Sequence, residues 1–180
     1  MDDNNVEKML SYCNKLLGIK YRLWKGDNSV EDQESFYVNF KPPIDYLKKN
    51  GIHCSGLINV ILQEFNIPIP SSSSQYRGGT KFWYEYFKNK GFLCKFNYNI
   101  QYPIGTLFIR KYKNKKDQGH LAILSQYYSK NPEQILYGNI IHSCKEKGVC
   151  ISQLGMSHFC QYDCNEGYYE YAILPDKWLY

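Results

Sequence analysis

The apolar residues of this chain change their period once, at Gly91, and that single switch limits the folds open to it. Before Gly91 they recur at three- and four-residue spacing; after it they form short runs separated by turn formers. Val6, Met9, Leu10, Cys13, Leu16 and Leu17 predict an amphipathic helix over 5–17, capped by Asn4 or Asn5 and ended by Gly18. Leu57, Ile58, Ile61, Leu62 and Phe65 give a second helix, over 54–65, an apolar face broad enough to make it central. Phe82, Trp83, Tyr86 and Phe87 share one side of a third helix, over 80–89. Short strands are expected at 106–109, 120–124, 134–141, 149–151 and 168–174. Helices first and strands afterwards predict an α+β domain, with N-terminal helices packed on a C-terminal antiparallel β-sheet.

The 180 residues suit one domain, 1–180, with enough chain to bury a core. Residues 25–51 are polar and irregular and include Pro42-Pro43, so they read as a long loop or inserted subdomain, with a helical turn at 44–47. Pro68, Pro70, the serine run 71–74 and Gly78-Gly79 mark a second loop. The formal net charge of +5 is spread along the chain apart from Lys111, Lys113, Lys115 and Lys116, a solvated loop by pattern. No nucleic-acid partner is expected, although a mild positive field suits an anionic polymer. The acidic, polar start offers no secretory signal, and no run of ~20 apolar residues predicts a membrane span. Seven cysteines, an odd number, are read as reduced thiols, which points to the cytoplasm, or to a virion or host cytosol.

Three residues carry candidate chemistry. Cys54 opens the central helix in His53-Cys54-Ser55-Gly56-Leu57. Free amides and the positive end of the helix dipole lower a thiol pKa there and can hold an oxyanion. His120 follows Gly119 at the start of one strand, and His142 ends the next. If those strands are antiparallel neighbours the two imidazoles meet, giving a base and the group that orients it.

These segments resemble the NlpC type of papain-like cysteine peptidase. Cys54-Ser55-Gly56-Leu57-Ile58 is similar to that family's Asp-Cys-Ser-Gly-Leu motif, and Gly119-His120-Leu121-Ala122-Ile123-Leu124 to its His-Val-Gly-Ile-Tyr strand. Ile140-Ile141-His142-Ser143 resembles the strand with its third polar residue. Leu17-Gly18-Ile19-Lys20-Tyr21-Arg22-Leu23-Trp24 resembles its Gly-x-Pro-Tyr-x-Trp-Gly segment, and Pro103-Ile104-Gly105-Thr106-Leu107-Phe108 its Pro-Gly-Asp-Leu-Val-Phe strand. The resemblance implies a papain-like fold and a peptidase or amidase with catalytic Cys54, His120 and His142. It implies substrate contacts from Tyr21, His53 and Ser55, a peptide or peptidoglycan-like substrate, and no metal or organic cofactor. His53 stands where the family usually has Asp, which removes the fixed charge used for a stem-peptide amine.

Other papain-like branches share the order Cys then His, among them CHAP amidases and proteases of ubiquitin-like tails. Lecithin:retinol acyltransferase-like enzymes reverse it. A non-catalytic binding domain on the same scaffold is a further reading. So is a zinc module drawn from Cys144, Cys150, His158, Cys160 and Cys164, in which Cys160 and Cys164 have ligand-pair spacing.

Overall fold

A computed structural model describes residues 3–23, 34, 36–69, 78–97, 99–114, 118–127, 138–154 and 169–180. Four α-helices and a six-stranded antiparallel sheet make up these residues, the α+β class that the change of period predicts. The helices are α1 (Asp3–Leu16), α2 (Ile44–Asn50), α3 (Cys54–Glu64) and α4 (Thr80–Asn89). The strands are β1 (Cys94–Lys95), β2 (Leu107–Arg110), β3 (His120–Tyr127), β4 (Gly138–Cys144), β5 (Gly148–Gln153) and β6 (Tyr171–Ile173), in the spatial order β1-β6-β2-β3-β4-β5. No helix among the described residues is long and apolar enough to cross a membrane.

Several boundaries differ from the pattern-based expectation. The first helix starts at Asp3, so Asn4 and Asn5 lie inside it instead of capping it. The turn expected at 44–47 extends to Asn50 and closes on Gly51, whose N–H donates to the Leu47 carbonyl. β4 runs on to Cys144, which puts His142 inside the strand. β1 has two exposed residues and no apolar alternation by which to recognise it. The loop segments 25–33 and 71–77 lie outside the described residues.

The sheet is covered on both faces. Met9, Leu16, Leu57, Ile61, Trp83 and Phe87 from the helices form one core with Leu107, Ile109, Leu121, Ile123, Ile141 and Val149. Phe108, Ala122, Leu124, Ile140 and Ala172 point the other way, into a second cluster with Tyr102, Phe96 and Tyr169. Alternation along the strands produces this division, with one irregularity in β3 between Leu124 and Gln126. α3 is buried along the whole of 54–62, as its all-round apolar sequence requires.

Candidate active site

The start of α3 is built by His53. Its ring Nδ1 accepts the Gly56 N–H at 3.0 Å, so an imidazole does the capping that Ser, Asp or Asn usually does. Accepting at Nδ1 leaves the ring proton on Nε2. Ser55 Oγ lies 3.1 Å from the same nitrogen, and the edge of the ring meets Phe36. Burial, with the Arg22 charge acting in the same direction, lowers the His53 pKa to about 3. His53 and Ser55 are therefore buried packing partners at the helix start, each 3% exposed. Tyr21 is half-buried on a strap beside them, where Ile52 N–H donates to Lys20 O at 3.0 Å.

The Cys54 thiol is buried at the first turn of α3. Burial pushes its pKa up. The Leu121 backbone amide, the Thr80 hydroxyl, the Ser55 amide and the Arg110 charge pull it down, in that order, without reversing the shift. The expectation that a helix start makes this thiol acidic is thus corrected in sign, because desolvation disfavours the thiolate more than these donors favour it. Thr80 begins α4, and Arg110 is the register partner of His120 on β2.

The two histidines meet. β3 and β4 are antiparallel neighbours, and His120 Nε2 lies 2.8 Å from His142 Nδ1 with the rings nearly perpendicular. His142 Nε2 faces Ser152 Oγ at 2.8 Å and Cys150 Sγ at 3.5 Å. Burial holds His120 well below the ordinary histidine range, aided by His142 and Arg110 and opposed by Cys144. Burial also lowers His142. The chain His120 Nε2–H to His142 Nδ1, then His142 Nε2–H to Ser152 Oγ, satisfies both rings as neutral imidazoles and leaves His120 Nδ1 as a lone pair.

The face on which they meet needs care. Ser143 points to the helices, where its hydroxyl donates to Ile52 O at 2.6 Å. By alternation His142, like Ile140, projects from the opposite face, and His120 shares that face with Ala122 and Leu124. Among the described residues no hydrogen bond joins Cys54 to His120. The link between them runs through the chain at the end of the β3–β4 ladder. The β3–β4 ladder ends at Ile123 and Ile141, so residues 120–122 and 142–144 lie beyond it. Cys54 meets the Leu121 amide at this open end, next to His120 in the chain.

Sequence reasoning missed Thr80, Arg110 and Ser152, and the Leu121 amide. Backbone donors leave no sequence signal, and Thr80 is brought in only by the packing of α4. A buried His142 with Cys144 and Cys150 nearby is compatible with a Cys–His site. His158, Cys160 and Cys164 lie outside the described residues. No protein family matches the chain, and neither does any curated protein.

Proposed function

We propose that this chain is a papain-like cysteine peptidase or amidase of the NlpC type, with Cys54 as nucleophile, His120 as base and His142 as the group that orients it. What supports the reading is the bonded pair His120–His142 at the start of β3, where Leu121, the neighbour of His120 in the chain, gives its amide to the helix-start thiol of Cys54. Burial keeps the thiol and the imidazole neutral at rest, so the proton moves as attack occurs instead of beforehand.

In the proposed reaction His120 Nδ1 takes the thiol proton while Sγ attacks a peptide or isopeptide carbonyl, which requires the start of β3 to shift towards the helix face with His120 and His142 still bonded. Catalytic hydrogen bonds of this kind tighten in the substrate complex. The imidazolium then gives its proton to the leaving amine, and water, deprotonated by the same ring, hydrolyses the thioester. His142 Nδ1 holds His120 in the required tautomer. Peptidoglycan stem peptides are the first substrate class to test, with protein or ubiquitin-like tails second.

The test is digestion of purified peptidoglycan and a panel of isopeptides, with mass analysis of the products. Cys54→Ala and His120→Ala are expected to remove turnover. His142→Ala keeps more than His120→Ala, because water replaces an orienting group in part. Full turnover by Cys54→Ala would sink the proposal.

A further inference from the structure

We propose that His142 Nε2, Cys144 Sγ and Cys150 Sγ form a binding site for one thiophilic divalent cation of the zinc class, on the face of the sheet that carries the histidine pair. The β4–β5 hairpin assembles it. His142 pairs with Cys150 and Cys144 with Gly148, so alternation puts His142, Cys144 and Cys150 on one face across two neighbouring strands. Among the described residues this is the group of three metal-ligating side chains, its donor atoms all within 4.8 Å of one another.

Two of the three donor separations match the edges of a coordination shell, and the third is within 4.8 Å. Tetrahedral zinc with ordinary Zn–S and Zn–N bonds has S···S edges of about 3.8 Å and S···N edges of about 3.5 Å. Cys144 Sγ and Cys150 Sγ lie 3.7 Å apart, and Cys150 Sγ lies 3.5 Å from His142 Nε2. A disulfide needs sulfurs at about 2.05 Å. Two thiolates and an imidazole select zinc-like cations over calcium or magnesium. His142 and Cys144 are buried, whereas Cys150 is half-buried and gives the ion a way in.

Binding exchanges two thiol protons, released to solvent, for two sulfur–metal bonds, and moves the His142 ring proton from Nε2 to Nδ1, so that Nε2 gives up Ser152 Oγ and offers its lone pair to the metal. It has a consequence for His120, which rests on the hydrolase proposed above. A metal on Nε2 puts the ring proton of His142 on Nδ1, where it faces His120 Nε2. That nitrogen must then accept, so His120 carries its own proton on Nδ1 and has no lone pair left for Cys54. The occupied site therefore switches off the base.

The reduced full-length protein is titrated with Co2+ and followed by absorbance. A thiolate-to-metal charge-transfer band and tetrahedral visible bands are expected, saturating at one equivalent and bleached by Zn2+. Cys144→Ser and Cys150→Ser should each weaken binding at least tenfold, while Cys94→Ser and Cys54→Ala leave it unchanged. The site is overturned if the unmodified protein shows no bands, or if the bands persist undiminished in both serine variants. A Cys144–Cys150 disulfide in protein purified under reductant overturns it too. Zn2+ should also slow iodoacetamide labelling of Cys54 in the unmodified protein and not in Cys150→Ser; equal slowing in both overturns the switch. Failure of the hydrolase reading shows separately, as turnover by Cys54→Ala, and leaves the cobalt spectra untouched.

Discussion

His53 commits its Nδ1 to the Gly56 amide inside the fold, so a proton cannot be added there without breaking the cap of α3. Its folded pKa is lowered from 6.5 to about 3, and the unfolded chain therefore binds a proton that the folded chain refuses throughout that window. The stabilisation is full above pH 6.5 and is lost as pH falls towards 3. Its slope is roughly 1.4 kcal/mol per pH unit for this one group. His53→Asn keeps a capping oxygen and removes the titration. Urea unfolding between pH 4 and 7 should therefore show a shallower loss of stability in His53→Asn than in the unmodified protein. Parallel curves would refute the assignment. The place of His53 just before the helix was legible in the sequence, but its capping was not, because imidazole is an uncommon cap. The raised thiol of Cys54 was illegible for a different reason: local position favours the thiolate, and the burial that outweighs it comes from β3 and α4.

At the scale of elements, β3 is set against β2 and α4 by the residue before it. Gly119 has φ +78, and a Cβ there would lie 2.5 Å from Arg110 O, 2.7 Å from Thr80 Cγ2 and 2.8 Å from Lys111 C. Two of these are backbone atoms and cannot rotate away. Gly119→Ala is expected to cost roughly 1–3 kcal/mol. It should also part Thr80 from the start of β3, uncover the Cys54 thiol and speed its labelling. Gly18→Ala is the control, since its φ of +81 is similar but no atom lies within 4 Å of the added Cβ. If the two variants melt alike, the packing argument for Gly119 fails and only backbone conformation is left. The helices 54–64 and 80–89 and the start of β3 were read closely from periodicity, since their apolar patterns are long or bounded by Gly. The side of the sheet that takes His120 and His142 was not, because a one-residue difference in register reverses it.

For the molecule as a whole, one buried amide joins the segments around the site. Asn59 sits in the middle of α3 with no exposure, in a run otherwise of Leu, Ile and Val. Its Nδ2 donates to Phe36 O at 2.8 Å and to Gly78 O at 2.9 Å, and its Oδ1 accepts Trp83 Nε1–H at 2.9 Å. It thus ties the segment before α2, the approach to α4 and α4 itself to the helix that begins with Cys54. Phe36 packs on His53, and Thr80 reaches the Cys54 thiol, so both flanks of the helix start depend on this residue. Asn59→Ala leaves two carbonyls and an indole N–H buried without their partner. Each unsatisfied group costs about 1–3 kcal/mol, which makes a total loss of roughly 3 kcal/mol or more the expectation. Asn59→Asp keeps the acceptor for Trp83 but turns carboxylate oxygen towards two carbonyl oxygens, so it should be no better than alanine at neutral pH and should recover in part as pH falls. Chemical denaturation of both variants at pH 7 and pH 5 decides the matter. A loss under 1 kcal/mol in Asn59→Ala, or an Asn59→Asp that is stable at pH 7, would show that these segments are held by apolar packing and not by the amide.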